Sequence, residues 1–431
     1  MSHARHVVLN VNVLNLGIHT GSWQRSSEPP TAFADPNYYV RMARLAERGA
    51  LDALFLADGP ALRDHPALRP SQALEPSVIL ASVAAETEHL GVIGTLSSTF
   101  NDPVELAARL LSLDILSGGR FAWNVVTTYS PAAGGNFGLA DYPDRSTRYR
   151  RAAEFVDVVL ALWRDAGTGR GVDHRGEFFT VVGSLALGPS PQGHPLLVQA
   201  GGSPQGRDLA GRVADAVFSA ELDLGAGIEH YRYVKDAAQA HGRGRADVKI
   251  LPGLITTIGS SRAEAERRYD EQNALLPENH DLERLSQVLG EDLAALPLDE
   301  PVPDRLLGDV ADPAKFAASL GFRESVVRLI ESGGLTLRQA VREFSGAGHR
   351  VVVGSPVDVA DTIERWFLAG AADGFNLMPD VFPDGLEVFV DEVVPILRAR
   401  GLFRTHYAES TLRERFTGTA TPTERRVLAG T

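Results

Sequence analysis

Cysteine is absent from this chain of 431 residues. Its absence excludes disulfide bonds, thiolate metal sites and a cysteine nucleophile. Basic residues are outnumbered, with 42 Lys and Arg against 55 Asp and Glu and a net charge of −13, and the arginines form no basic stripe. We therefore expect neither a nucleic-acid partner nor attraction to an anionic membrane surface. No uninterrupted apolar run is long enough to cross a bilayer, so we also expect no membrane-spanning segment.

Several motifs that signal specific chemistry are also missing. The 12 histidines are scattered, and neither an HxH nor an HExxH spacing occurs, so we expect no metal site. There is no GxSxG nucleophile elbow and no P-loop motif for nucleotide phosphates. The N-terminus, MSHARHVVLNVNVLN, leads directly into a strand without a signal-peptide pattern. We therefore predict a cytoplasmic protein.

Short apolar runs alternate with helix-forming segments along the chain. Residues 352–378 contain an amphipathic helix that runs into a short buried strand, which is one repeat of such an alternation. In the first predicted helix, Asp35 is the N-cap and Pro36 occupies the first turn. Further strands are predicted at 7–14, 51–58, 90–96, 119–127, 195–202, 214–220 and 248–259. The pattern predicts an α/β fold, a (β/α)8 TIM barrel with insertions, formed as one domain over residues 1–431.

Three segments interrupt the alternation. A Gly/Pro-rich loop is predicted at 129–145 and a loop with a hairpin at 165–192. The segment 277–350 is rich in Leu, Pro and acidic residues, and we interpret it as a helical insertion that could act as a lid. Long ordered loops in a compact fold are usually functional. The polar tail that ends at Thr431 is expected to dock on a neighbour or to fray.

Polar residues follow several predicted strands. Asp58, Ser98, Asn124 and Ser203 stand at or near strand ends, which in a barrel surround the active site. The loop QAGGSPQG (199–206) lies between a strand and a helix, where backbone N–H groups and the helix dipole can bind a phosphate. Taken singly, Asp58 is equally consistent with a cap, and Ser or Asn at a strand end, as at Ser98 and Asn124, is more often a turn former. A glycine-rich loop alone is a weak signal.

Many motifs in order resemble one family, the bacterial-luciferase-like FMN-dependent monooxygenases. The resemblance is to the branch with nitrilotriacetate, dibenzothiophene-sulfone and long-chain-alkane monooxygenases. So many motifs together are far more specific than any one of them. The similar segments are HTGSW (19–23), 38–58, 74–103, LDILSGGRFAWNVVTT (113–128), 136–155, HRGEFF (174–179), 190–210 and 348–404.

The resemblance implies a two-component flavin monooxygenase. Such an enzyme receives reduced FMN from a separate NAD(P)H:flavin reductase, binds O2 and oxidises a small organic substrate through a C4a-(hydro)peroxyflavin. An apolar pocket suits this chemistry, because water and stray protons would cause the peroxyflavin to decay to hydrogen peroxide. Barrels of this kind often pair with copies of themselves, so we expect a homodimer or homotetramer.

The resemblance also assigns roles to residues of this chain. His19 and His349 are candidates for proton transfer or orientation on the substrate side. Phe55 and Tyr129 are placed at the substrate pocket, although the sequence favours packing over chemistry for Phe55. Tyr129 follows Thr128 where we would expect Ser and Ala, so the substrate of a relative cannot be carried over. The residues assigned to FMN are Asp58, Ser98, Asn124, Thr128, Tyr149, Gly202 and Ser203.

Two other functions stay open on the sequence alone. Members of the same superfamily use the deazaflavin F420 for hydride transfer, which would make the chain a dehydrogenase or reductase. A non-enzymatic flavin-binding protein is the second alternative, and the polar strand ends together with the phosphate loop disfavour it. The substrate is not predicted: an aminopolycarboxylate requires several cations, a sulfone prefers aromatic walls, and an alkane requires a deep aliphatic channel.

Overall fold

A closed parallel barrel forms the centre of the molecule. The computed structural model describes residues 6–62, 74–128, 131–139, 141–275, 280–310, 320–344 and 348–418. The strands in these ranges are β1 (Val8–Asn12), β2 (Ala53–Leu56), β3 (Gly91–Ser97), β4 (Phe121–Val126), β5 (Val172–Arg175), β6 (Thr180–Gly183), β7 (Leu196–Gln199), β8 (Ala216–Ser219), β9 (Lys249–Ile258), β10 (Arg350–Gly354) and β11 (Gly374–Pro379). Eight of them pair in the order β1-β2-β3-β4-β7-β8-β9-β11, and β11 returns to β1. The predicted (β/α)8 barrel is confirmed.

The barrel strands are buried on both faces. In β1, Leu9 and Val11 pack outward with the helices, while Val8 belongs to the interior cluster with Phe55 and Leu251. Burial on both faces explains why these strands read as nearly continuous apolar runs. The long strand β9 pairs with β8 along its first half and with β10 along its second, so β10 extends the sheet outside the closed ring.

Helices surround the barrel, and several begin where the sequence predicts. Asp35 caps the first of them, accepting a hydrogen bond from the Asn37 backbone N–H at 3.0 Å. The helices are α1 (Pro36–Arg48), α2 (Pro76–Ala85), α3 (Pro103–Leu116), α4 (Pro131–Asn136), α5 (Arg145–Asp165), α6 (Pro204–Val213), α7 (Leu224–Ala240), α8 (Arg262–Asn273), α9 (His280–Leu289), α10 (Leu320–Gly333), α11 (Leu337–Glu343), α12 (Pro356–Leu368), α13 (Asp384–Val388), α14 (Val394–Ala399) and α15 (Leu412–Thr417). Among the described residues, no helix is long and apolar enough to span a bilayer.

Two excursions leave the barrel. Strands β5 and β6 form an antiparallel hairpin, which His174 ties to α5 through a 3.0 Å contact between its Nε2 and Glu154 Oε1. Helices α9, α10 and α11 share a small core of their own, which includes Leu285, Val326 and Leu337. This core is separate from that of the barrel, and α10 contacts the barrel side through the hydrogen bond from Ser325 Oγ to the Ala220 carbonyl.

The C-terminal segment closes the N-terminal end of the barrel. Leu412 and Phe416 of α15 are buried in the interior cluster of the barrel. Arg404 pairs with the fully buried Asp52 at 2.7 Å, and Arg415 donates a hydrogen bond to the Asp52 carbonyl at 2.8 Å. The described part of the tail, up to residue 418, therefore docks on its own barrel; the remainder of the predicted polar tail lies outside the described residues.

Candidate functional site

A cavity of about 660 Å³ opens at the C-terminal ends of β2, β4, β7 and β8. Helices α5, α6 and α7 supply its side walls, and α10 of the helical segment supplies Glu324, Ser325 and Arg328. Active sites of TIM barrels lie at this end of the strands, where the loops can vary without disturbing the barrel. The cavity is therefore the candidate active site.

Asn124 presents an unsatisfied amide oxygen beside this cavity. The residue lies in β4 and is buried, and its Nδ2 donates a hydrogen bond to Thr95 Oγ1 at 2.9 Å. Its Oδ1 is buried and has no hydrogen-bond partner among the described residues. Leaving a buried acceptor unpaired costs about 1–3 kcal/mol. A ligand with an N–H or O–H group at this position would recover that free energy.

The chain leaves β4 in a strained conformation at Thr128. Its φ of +43° is unusual for a β-branched residue. Thr128 Oγ1 donates to Ser97 Oγ at 2.8 Å, and the Tyr142 hydroxyl donates to the Thr128 carbonyl. These contacts hold the strained residue at the cavity wall, and strain of this kind concentrates at functional sites.

Two helix N-termini supply groups suited to an anion. Ser203 caps α6, accepting a hydrogen bond from the Gly206 N–H at 3.2 Å, and it lines the cavity with Gly202. The first turn of α5 contributes Arg145, Arg148 and Tyr149 to the same cavity. Helix N-termini carry partial positive charge and free N–H groups. A phosphate fits this part of the cavity.

Asp58 and Ser98, two further residues assigned to FMN, differ in their surroundings. Asp58 lines the cavity, where burial raises the pKa of its carboxyl group and a hydrogen bond from the Gly59 N–H opposes the shift. Ser98 is buried, and its Oγ donates to the Val126 carbonyl at 3.1 Å. Ser98 is not part of the cavity lining. Its hydroxyl joins the ends of β3 and β4, which is the turn-forming alternative that the sequence left open.

The two predicted catalytic histidines are separated. His349 lines the cavity and stacks on Phe218 at 5.3 Å, and Phe218 meets Phe55 edge to face at 5.4 Å. His19 is outside the lining: its Nε2 lies 2.9 Å from Asn273 Oδ1, and its Nδ1 accepts from the Gly21 N–H at 3.0 Å. Tyr129 lies outside the described residues.

Other polar residues of the cavity escaped the sequence analysis. Glu221 and His230 are buried side by side, with 3.3 Å between Oε1 and Nδ1. Burial raises the pKa of Glu221 to about 7 and lowers that of His230 to about 3. Glu221 follows strand β8, so the strand-end rule could have found it. Arg207 and Arg328 lie on helices, where a charged residue usually indicates a solvated face.

Comparisons with known proteins identify the family of this chain. The model of the family described as luciferase-like monooxygenase matches residues 14–373. Nitrilotriacetate monooxygenase component A of Aminobacter aminovorans is 38% identical over 92% of this chain and 93% of its own length. Dibenzothiophene-sulfone monooxygenase of Rhodococcus erythropolis is 36% identical over 91% of this chain and 92% of its own.

A solved structure extends the comparison to the fold. A riboflavin lyase crystallised with modified FMN and riboflavin superposes with a TM-score of 0.82 and 28% identity, covering 97% of each chain. The predicted family and its branch are confirmed by these relatives. The roles given to individual residues stay predictions.

Proposed function

This chain belongs to the luciferase-like monooxygenase family, and we propose that it is the oxygenase of a two-component system. Reduced FMN would come from a separate NAD(P)H:flavin reductase, and O2 would be used to oxidise a small organic substrate. The observation that carries the proposal is the unsatisfied Asn124 amide in the same cavity wall as the helix N-termini at Ser203 and Arg145. One cavity thus offers a partner for a polar ring edge and another for a phosphate.

The residues present fit FMN. Gly202, Ser203, Arg148 and Tyr149 would hold the phosphate, because they combine free N–H groups with positive charge. Asn124 would hold the polar edge of the ring. Bound in this way, reduced FMN would supply the electrons that activate O2.

Aromatic packing protects one side of the cavity from water. Phe218 packs edge to face against Phe55 and stacks on His349, and these three rings form part of the cavity lining. Exclusion of water favours oxygen transfer to a substrate over loss of hydrogen peroxide. The histidine can also orient a bound substrate.

The lining disfavours an alkane as substrate. Arg145, Arg148, Arg207, Glu229 and Arg328 all line the cavity, whereas an alkane requires a long aliphatic channel. A polar organic substrate fits these walls better. The named substrates of the two relatives, nitrilotriacetate and dibenzothiophene sulfone, are therefore suitable compounds for a first screen.

Helix α10 is proposed to act as a lid. Ser325 Oγ donates to the Ala220 carbonyl at 3.3 Å, and Arg328 pairs with Glu229 at 2.7 Å. Both partners of the ion pair are about half exposed, so the pair contributes little stability and can open readily. Such a contact suits a cover that must admit a substrate and release a product.

The variant Arg328→Ala tests this lid. We expect hydrogen peroxide to be released faster, on the order of threefold, because a looser cover admits water. Peroxide is measured by a coupled colour assay after mixing with reduced FMN and O2. The matched control is Arg232→Ala on the outer face of α7, an exposed residue. An unchanged rate of peroxide release in Arg328→Ala would argue against a lid.

The variant Gly201→Ala tests the phosphate loop. A Cβ atom at this position would lie 2.5 Å from Gln199 Nε2 and 2.9 Å from Gly206 Cα, so the loop must move. We expect affinity for FMN to fall about tenfold or more, since the displaced N–H groups no longer converge on the phosphate. Fluorescence titration measures the Kd. Gly188→Ala, where no atom lies within 4 Å of the added Cβ, should bind normally.

Anaerobic titration with reduced FMN is the direct test of the proposed function. Saturable binding, followed by slow peroxide release on mixing with O2, would support a two-component oxygenase. Binding of reduced F420 in its place would favour hydride transfer. The solved F420-dependent alcohol dehydrogenase, at 15% identity and a TM-score of 0.59, shares only the fold.

The predicted homodimer or homotetramer and the cytoplasmic location complete the proposal. Light scattering at micromolar concentration should give a mass of two or four times 46.3 kDa. A value equal to one chain would contradict the oligomer.

The reductase is expected to deliver reduced FMN either directly or through solution. Separating the two proteins by a dialysis membrane distinguishes these routes, because only free reduced FMN can cross it.

A further inference from the structure

A buried acid and a buried histidine stand together in the cavity wall, apart from the groups assigned to the cofactor. Glu221 follows β8, and His230 lies in α7. Glu221 Oε2 accepts a hydrogen bond from Ser219 Oγ at 2.7 Å, and its Oε1 lies 3.3 Å from His230 Nδ1. The other ring nitrogen, His230 Nε2, is buried and has no hydrogen-bond partner among the described residues.

A contribution to the stability of the fold does not explain why Glu221 and His230 are buried together. Burial disfavours the charged forms of both groups, raising the pKa of Glu221 to about 7 and lowering that of His230 to about 3. An apolar pair of similar volume would avoid this cost and leave no unpaired nitrogen. Strongly shifted groups in the wall of a cavity are typical of functional sites.

We propose that Glu221 and His230 form a substrate-recognition pair, in which Glu221 sets the tautomer of His230 and the imidazole Nε2 accepts a hydrogen bond from an O–H or N–H group of the substrate. The inference rests on the proposed function, because it assigns a substrate contact to the same cavity. The substrate class is thus an organic molecule with a hydrogen-bond donor. The rings of Phe55 and Phe218, which pack edge to face in the same cavity, provide a surface for its apolar part.

The tautomer follows from the charge of Glu221. An ionised carboxylate accepts the proton on Nδ1, which leaves Nε2 with a free lone pair. A protonated Glu221 donates to Nδ1 instead, and Nε2 then carries the hydrogen. His230 Nε2 therefore changes from a hydrogen-bond donor to an acceptor as the pH rises through about 7, the pKa of Glu221.

Charged neighbours act on the pair from three helices. Arg207 on α6 lowers the pKa of both groups, and Asp223 at the start of α7 raises that of Glu221. Glu229, adjacent to His230, is neutralised by Arg328 of α10. Because His230 Nε2 is buried, a substrate can reach this atom only when the side chains around it move. The half-exposed Arg328–Glu229 pair makes such a movement inexpensive.

The experiment compares phenol with its methyl ether, anisole, as probes. Phenol carries the O–H donor and anisole lacks it, while their rings are alike. We expect the protein to bind phenol about tenfold more tightly than anisole, the value of one hydrogen bond to a buried acceptor. His230→Gln should lose the preference. His241→Gln, a surface histidine that pairs with Asp208 at 3.0 Å, should keep it.

Nitrogen-15 NMR of labelled histidine gives a second readout that needs no ligand. The His230 signal, identified by its loss in His230→Gln, should change tautomer as the pH passes about 7. Glu221→Gln keeps the shape of the side chain and should abolish the change. A His230 tautomer that does not depend on pH would overturn the role given to Glu221.

The outcomes separate this inference from the proposed function. Equal binding of the two probes, no binding of phenol, or a preference that persists in His230→Gln would overturn the recognition pair. FMN affinity is measured on the same samples. Normal FMN binding would leave the proposed function standing in each case, whereas absence of FMN binding in the unaltered protein would overturn that function instead.

Discussion

The variant Arg120→Met is expected to lower the free energy of unfolding by about 3–5 kcal/mol. Arg120 is buried just before β4, and its guanidinium donates five hydrogen bonds. The acceptors are the Ser117, Leu90, Ala84 and Thr87 carbonyls and Thr87 Oγ1, at 2.6–3.1 Å. Methionine fills much of the volume but satisfies none of them.

The cost is large because these acceptors lie in the interior. They join the end of α2 and the start of β3 to the turn before β4, where water cannot easily replace the guanidinium. Burial lowers the pKa of Arg120, because removal from water disfavours the charged guanidinium. We expect the midpoint of urea unfolding to fall while the slope of the transition stays the same.

Two further variants make the result interpretable. Arg120→Lys keeps the charge but has a single nitrogen, so it should recover only part of the stability. Arg232→Met, on the exposed face of α7, should unfold within about 0.5 kcal/mol of the unaltered protein. Equal midpoints for Arg120→Met and Arg232→Met would contradict the proposed bracing role.

The variant Asn124→Leu is expected to weaken the binding of reduced FMN by about 10–100-fold. Leucine is close to asparagine in shape, but it removes the unpaired Oδ1 and the bond from Nδ2 to Thr95 at 2.9 Å. Because Oδ1 has no partner to lose among the described residues, the expected loss of stability is only that of the Thr95 hydrogen bond, about 1 kcal/mol. Much weaker binding with so small a loss of stability is the result that distinguishes a cofactor contact from a structural one.

Anaerobic fluorescence titration gives the Kd, and urea unfolding gives the stability of the same samples. The control is Asn37→Leu, an exposed residue in the first turn of α1. A Kd for Asn124→Leu that stays within about twofold of the unaltered protein would remove Asn124 from the cofactor site. A large loss of stability would instead assign it to the barrel core.

Much of the fold could be predicted from local patterns. The strands are recognisable because parallel strands buried on both faces are apolar throughout, and α1 begins at Asp35 because a side-chain carboxylate satisfies a free N–H at the helix start. The docking of α15 could not be predicted, since Leu412 and Phe416 stand in a polar tail and are buried only by contact with distant strands.

The candidate site was predictable to the extent that it depends on strand ends. Asp58, Asn124 and Ser203 line one cavity because parallel strands end on the same side of a barrel. His19 follows β1 in the same way, yet the structure directs it to Asn273 on α8. Which way a loop side chain turns depends on neighbours that are remote in sequence.

The sequence by itself determined the barrel, the family and the strand ends that surround the cavity, since these depend on periodic burial and on motifs contiguous in the chain. Only the tertiary structure decided the pairing of Glu221 with His230 across β8 and α7 and the unsatisfied state of Asn124. It also decided that α10 contributes residues to the cavity lining. Burial and hydrogen bonding of a polar group depend on the elements packed around it, and local sequence does not specify those elements.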